Sequence, residues 1–493
     1  MKTIVIGSGI SGLSCASFLA KKGYDVTIFE KNEQIGGRAR EFKADGFTFD
    51  MGPSWYWMPD VFEDFYQKFG HTTSDFYNLK RLSPSYRIFW GEGEKDDIPA
   101  DYDELKALFE GYESGAGDAL DQFMTDGQKK YEKGVGEMVY KPSTSIQEFI
   151  KLEYLQPIFI KSLFNSFEKH AKKYFKHPKL LQLMEFPILF LGATAKNTPS
   201  LYSLMNYADM KLGTWYPMGG MHKIIEAFSS IALENNVKIH TNSEVEKIEV
   251  DSQSKKAKGV VVNNKLYEAD VVIGGADYHH VDKQLLQKNE SNYSHKYWDN
   301  RKLAPSALIY YIGVDKKISG LKHHNLFFDE DFGQHSKEIY TDKKWPESPL
   351  FYVCCPSKTD PEVAPTDKEN LFILIPVAVD LEDSEEIRKH YFEYTIQKLE
   401  AYTGESIRDH VVYKKQYAQK EFKEDYHSFK GNAYGLANTL DQTAYFKPQI
   451  LNKNISNLFY TGQLTVPGPG VPPSIISGEV VANQIIKKYD ATF

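Results

Sequence analysis

Lys2-Thr-Ile-Val-Ile6 runs straight into Gly7-Ser8-Gly9-Ile10-Ser11-Gly12, and the residues that follow, Leu13 to Lys22, are helical in composition. Gly23 is placed to cap that helix, and Asp25-Val-Thr-Ile-Phe29 is a second β-branched, apolar run ending in Glu30. Short runs of this kind form the strands of a buried parallel sheet. Strand, glycine loop, helix, strand and acidic end, in that order, make the unit that holds a dinucleotide. The three glycines serve a tight turn, close approach of backbone to a pyrophosphate, and close helix–strand packing. The helix start offers free N–H groups and a positive dipole end to the same pyrophosphate. Glu30, about 20 residues beyond the loop, accepts from ribose hydroxyls and repels a 2′-phosphate, which disfavours NADP. Gly36-Gly37-Arg38 extends the unit: the paired glycines bring the chain close to the cofactor, and Arg38 adds charge to phosphate oxygens. Residues 1–38 together read as a flavin-dinucleotide site. The glycines interrupting Met1–Ala20 argue against a signal peptide.

The 493 residues give room for two domains or more. They are 26% charged and 41% apolar, and 59 Lys and Arg against 67 Asp and Glu give a net charge of −8, so no nucleic acid is expected as a partner. The cysteines are Cys15, Cys354 and Cys355, too few for a disulfide framework, which fits a reducing cytoplasm. They also exclude covalent flavin attachment through a C-terminal cysteine. Aromatic residues reach 14%, enough to fill a core and also line a long apolar channel. No stretch approaches the ~18 apolar residues needed to span a bilayer. Leu371–Val379 and Phe186–Ala195 are short, carry proline and read as core strands or a packed turn.

Strand-rich, cofactor-type sequence recurs in three places. The first is residues 1–80. In the second, residues 215–290, Met221, Ile224, Ile225, Phe228, Ile231 and Ala232 form a helical stripe. Strands follow at Val237–Thr241, Val245–Val250, Gly259–Val262 and Ala269–Ile273, the last ending in Gly274-Gly-Ala-Asp277. The third place is residues 425–493. Residues 81–214 look largely helical, and 291–424 mix strands (Ala307–Val314, Leu371–Val379) with a helix near Glu385–Thr403. The expected fold is α/β: a Rossmann-like FAD-binding domain assembled from residues 1–80, 215–290 and 425–493. An inserted α+β substrate domain, residues 81–214 with 291–424, carries a helical membrane-associating part.

Two further segments carry chemistry. Gly46-Phe-Thr-Phe-Asp50-Met-Gly52-Pro53-Ser54-Trp55-Tyr56-Trp57 alternates as a strand and then breaks into a Gly-Pro loop. Gly52, Pro53 and Ser54 are expected to approach the flavin, with Trp55, Tyr56 and Trp57 lining the reacting pocket. Tyr460-Thr-Gly462-Gln463-Leu-Thr-Val-Pro467-Gly-Pro-Gly470-Val471-Pro-Pro-Ser474 is a strand end, a rigid loop and a helix start at Pro473 or Ser474. That start stabilises negative charge on the pyrimidine end of a reduced flavin. Lys31, Val245 and Val471 complete the candidate cofactor contacts. Asp277 and His279-His280 lack a third ligand at suitable spacing, so no metal is expected.

Taken together, these segments resemble the phytoene-desaturase type of bacterial carotenoid desaturase, within the carotenoid/retinoid oxidoreductases and distantly similar to amine oxidases. The resemblance covers the whole chain. It runs from Gly7-x-Gly9-x-x-Gly12 and Gly36-Gly37-Arg38, through Asp50-Met-Gly-Pro-Ser54 and Tyr216-Pro-Met-Gly-Gly220-Met, to Pro467-Gly-Pro-Gly-Val-Pro472. Phe47 to Pro59 looks most like phytoene desaturases of flavobacteria. Met218 departs from the family, where a Lys is common. Gln463 departs too, where many flavoproteins aim an acidic residue at the ribityl chain; its amide still reaches a ribityl hydroxyl.

The resemblance implies FAD, an apolar C40 polyene substrate, and stepwise insertion of double bonds taking phytoene toward lycopene. It also implies peripheral association with the inner face of the cell membrane from the cytoplasm. The alternatives are a 3,4-desaturase of hydroxylated or acyclic intermediates, a flavin amine oxidase, and a non-enzymatic prenyl-lipid carrier similar to GDP-dissociation inhibitors. Losing hydride beside a polyene leaves an allylic cation, which the faces of Trp55, Tyr56 and Trp57 would stabilise. No residue stands out as proton acceptor, so the catalytic residues are left unnamed. A single dinucleotide fingerprint points to oxygen or a membrane quinone as electron acceptor. The candidate membrane-facing segment is Ile146–Lys176, where apolar residues are interleaved with lysines around Pro157.

Overall fold

The computed structural model describes residues 1–149, 162–189 and 192–490. Lys2–Ile6 lies at the centre of a five-stranded parallel sheet, in the order Leu458–Tyr460, Val271–Gly274, Lys2–Ile6, Asp25–Phe29, Lys238–His240. Parallel strands buried on both faces need continuous apolar runs, and Val5, Val26, Ile28, Val271 and Val272 are all fully buried. The helix Ile10–Lys21 covers one face, and Gly23, at φ +88°, ends it by donating to the Ala20 carbonyl at 2.8 Å. The helices His222–Glu234 and Val471–Asp490 pack against it. The stripe Met221, Ile224, Ile225, Phe228, Ile231 and Ala232 is buried there.

A second sheet has seven strands, in the order Val411–Tyr417, Ser306–Val314, Glu369–Val377, Phe351–Cys354, His324–Phe327, Tyr86–Gly91, Glu94–Ile98. It is antiparallel except where His324–Phe327 runs parallel to Tyr86–Gly91. Side chains alternate along Ser306–Val314. Leu308, Tyr310, Ile312 and Val314 meet the helix Glu385–Thr403, while Ala307, Ile309 and Tyr311 face the first sheet's core. Ser384 and Gly404 bound that helix, the serine by accepting from the Ile387 N–H at 3.3 Å and the glycine at φ +72°. A smaller antiparallel sheet joins Val245–Asp251, Lys256–Val262 and Lys265–Glu268.

One local expectation changes and two are refined. Phe186–Ala195 is neither strand nor turn at its start, because Pro178–Leu189 is a helix with Pro187 inside it. Leu180, Leu183, Met184 and Pro187 are buried at helical spacing, which outweighs the proline. Residues 81–214 are largely helical, with 86–91 and 94–98 joining the second sheet through a partner far along the chain. Of the lysine-rich segment, Lys151, Leu155, Pro157, Ile158, Phe159 and Lys161 lie outside the described residues. Among the described remainder, Phe164 is 80% exposed while Phe167 is fully buried. No helix among the described residues is long and apolar enough to cross a membrane.

Candidate active site

Because the first sheet is parallel, its strand ends meet at one edge, the place where such sheets bind ligands. Ile6, Phe29, Gly274 and Tyr460 come into register there. A cavity of about 550 Å³ opens at this edge and runs to the inner face of the second sheet. Gly7, Gly9, Glu30, Lys31, Gly37 and Arg38 line its first side. Gly52, Pro53, Ser54 and Val245 line a second, and Gly462, Gln463 and Val471 close the third. Ser8 and Gly12 do not face the cavity; both shape its wall. Ser8 donates to Glu30 Oε2 through its backbone N–H at 2.9 Å and its hydroxyl at 2.7 Å. A Cβ on Gly12 would stand 2.3 Å from the Gly7 carbonyl oxygen, so only glycine lets the helix sit this close to the loop.

Glu30 is held at both oxygens, since Oε1 accepts from the Asn32 N–H and side-chain amide at 2.9 and 3.0 Å. Its carboxylate is therefore fixed before any ribose arrives. Lys31 donates to the Glu424 carbonyl. Arg38 lies in the cavity wall, donating to Ser428 Oγ at 3.1 Å and the Asn432 carbonyl at 3.3 Å, with its guanidinium 4.9 Å from the centre of the Tyr426 ring. Its Nε is buried and has no partner among the described residues. Gln463, with its carbonyl turned to the guanidinium, accepts from Arg38 at 3.0 and 3.3 Å. The glutamine thus orients Arg38 while still lining the cavity, where the sequence expects a ribityl contact. A free buried N–H on a cation, beside a glycine loop and a helix start with no side-chain cap, fits a dinucleotide's phosphates. Asp277 also lines the cavity and is pushed up to about 6 by burial, against the nearby Arg38 guanidinium.

Trp55 and Trp57 line the cavity, but Tyr56 does not. Neighbours in extended chain point to opposite sides. Tyr56 is accordingly fully buried behind the wall, stacked on Phe62 at 4.1 Å and hydrogen-bonded to the Tyr77 hydroxyl at 3.0 Å. His279 and His280 stack on Phe429 and His427 at 3.9 Å each, and burial pushes both imidazoles down.

Sequence reasoning misses the tyrosines brought in by other elements. Tyr340, Tyr352 and Tyr434 line the cavity's far part, which is otherwise walled by residues such as Leu326, Phe328, Ile339 and Leu374. The Tyr340 and Tyr434 side chains are half-buried, and neither hydroxyl has a hydrogen-bond partner among the described residues. The only local signal is the abundance of tyrosine itself.

A site of this build, on this sheet, defines an FAD-dependent oxidoreductase, and the family model for flavin containing amine oxidoreductase matches residues 10–486. The chain belongs to that family and, within it, to the carotenoid desaturases of the phytoene-desaturase type. It is 40% identical to a carotenoid 3,4-desaturase of Haloarcula japonica, over 98% of this chain and 97% of that protein. It is 31% identical to a 4,4'-diapophytoene desaturase (4,4'-diaponeurosporene-forming) of Staphylococcus haemolyticus, over 99% of both. In fold it is similar to an oxidoreductase from Methanosarcina mazei, with a TM-score of 0.65 at 18% identity over 98% of this chain and 100% of that one. The protein is an FAD-type oxidoreductase acting on carotenoids.

Proposed function

We propose that this desaturase acts next to the end of an acyclic carotenoid end group that carries a hydroxyl, as a 3,4-desaturase. The carrying observation is the pair of unpartnered hydroxyls on Tyr340 and Tyr434 in an apolar cavity. Both side chains are half-buried and open on the cavity, so a substrate that fills it either pairs these hydroxyls or buries them unpaired, at about 1–3 kcal/mol each. A hydrocarbon such as phytoene leaves both hydroxyls unpaired, whereas a hydroxylated end group satisfies them. The 40% identical 3,4-desaturase supports the same reading. Phytoene taken toward lycopene is the second reading, supported by the 31% identical relative named for diapophytoene.

FAD, when bound, supplies the two-electron oxidant. Arg38, the Gly7–Gly12 loop and Glu30 would hold it, while Trp55 and Trp57 would present aromatic faces to positive charge on the polyene, about 0.5–2 kcal/mol per good contact. We further infer peripheral attachment to the inner face of the cell membrane, since the substrate dissolves in lipid, and oxygen or a quinone as electron acceptor.

The test is to give FAD-loaded enzyme phytoene and, separately, a hydroxylated γ-carotene. The expected result is loss of two hydrogens and a red-shifted spectrum for the hydroxylated substrate, with phytoene unchanged. Conversion of phytoene to lycopene with the hydroxylated compound untouched would replace this reading by the second.

A further inference from the structure

Desaturation removes a proton as well as a hydride, and the acids near the cavity are already engaged. Asp50 accepts from the Met221 and His222 N–H groups at 2.8 and 3.0 Å. Asp277 accepts from the His280 and Phe429 N–H groups, both at 3.2 Å. Glu30 holds Ser8 and Asn32.

A different set of groups leads away from the cavity. Ser54 and Tyr352 both line it. The Tyr352 hydroxyl lies within hydrogen-bond reach of Ser54 Oγ, at 3.1 Å, and of Nδ1 of His324, at 2.6 Å; with the ring hydrogen on Nε2, it donates to Nδ1. His324 is fully buried, and its Nε2 has no partner among the described residues. Its ring stacks on Trp55 with centroids 4.0 Å apart and planes 11° apart. Burial, and then neighbouring His323, hold this imidazole well below its usual range, so it is neutral and one ring nitrogen carries a lone pair.

We propose that Tyr352 and His324, steadied by Ser54, are the proton acceptor of the desaturase. One C–H bond breaks with its electron pair leaving as hydride to the oxidant, FAD. The neighbouring C–H bond breaks with its pair becoming the new π bond. Its proton goes to the Tyr352 oxygen as that hydroxyl's own hydrogen passes along the 2.6 Å hydrogen bond to the lone pair on Nδ1 of His324, whose ring hydrogen is on Nε2. The carbons thus lose one hydride and one proton, FAD gains two electrons, and the imidazole becomes imidazolium. A weak base suffices, because a C–H bond beside an allylic cation is a far stronger acid than imidazolium. The stacked face of Trp55 then stabilises the charged ring. Tyr352 is catalytic in this scheme, while His324 acts through it. The proposal needs only the chemistry of the desaturase class, not the 3,4 position or the hydroxyl.

The test compares Tyr352→Phe, His324→Gln, the double variant and Ser54→Ala with wild type. The substrate is whichever of phytoene and the hydroxylated γ-carotene the wild type desaturates. Tyr352→Phe is expected to lose about tenfold or more in kcat, ~1.4 kcal/mol, with KM and FAD affinity unchanged. The isotope effect for deuterium at the proton-losing carbon should rise, and the double variant should lose no more than Tyr352→Phe alone. Ser54→Ala, the mildest change, should show the same rise if the others fold poorly. A readout without cofactor is the ¹⁵N signal of His324 in flavin-free, histidine-labelled protein, which should shift in Tyr352→Phe. An unchanged isotope effect, losses that add in the double variant, losses that follow FAD affinity, or an unmoved His324 signal would each overturn the proposal.

Discussion

Lys447 is 2% exposed, and its amine has no hydrogen-bond partner among the described residues. It and the equally unpartnered Asn438 Oδ1 each lie 3.1 Å from the point where a Cβ on Gly468 would stand, so the glycine makes room for both. Burial pushes the amine down from 10.5 to about 7. A base whose folded value is depressed stabilises the fold above its unfolded value and loses that stability as pH falls through the folded one. The apoprotein should therefore weaken as pH falls from 10.5 toward 7, by an amount on the order of a few kcal/mol. Lys447→Met should remove most of that slope and raise the Tm near neutral pH. Equal slopes for the two proteins in pH-resolved thermal melts would show that the amine has a partner. Nothing in the sequence marks this lysine, because burial of a charge is decided by what packs around it. Glu30 and Arg38, by contrast, are legible, since strand, loop and helix order fix where they must lie.

At the scale of elements, the helices Ile10–Lys21 and Val471–Asp490 approach each other closely at Gly478. A Cβ on Gly478 would stand 2.6 Å from the Ser11 carbonyl and 2.7 Å from the Cys15 nitrogen, and Ser14 Oγ donates across the same contact to the Ile475 carbonyl at 2.8 Å. Gly478→Val should cost roughly 1–3 kcal/mol by overpacking, read as a lower denaturant midpoint, and weaken FAD binding as it displaces the third side of the cavity. Gly478→Ala should cost less. Here the sequence reads well for elements with local signals. The helix Glu385–Thr403 follows from its bounding Ser384 and Gly404, and the opening strand from its β-branched run. It reads poorly for Tyr86–Gly91 and Glu94–Ile98, whose strand form depends on pairing with His324–Phe327.

For the whole molecule, the cavity is built from segments near the start, middle and end of the chain, so one ligand filling it would touch all three. Binding to the folded form alone adds RT ln(1 + [L]/Kd), about 4 kcal/mol at a thousandfold excess over Kd. Stripping FAD should therefore lower the Tm by several degrees and restoring it should reverse the shift; a Tm indifferent to FAD would contradict a site shared by all three segments.

The amino-acid order alone determined the dinucleotide unit, the parallel sheet and the resemblance to carotenoid desaturases, because glycine spacing, apolar runs and helix ends act over a few residues. Only the tertiary structure turned Tyr56 away from the cavity, seated Gln463 on Arg38, and gathered Tyr340, Tyr352, Tyr434 and His324 at its far part. Those placements depend on which strand pairs with which and which face of a doubly buried strand looks inward. That choice is made by packing between distant segments.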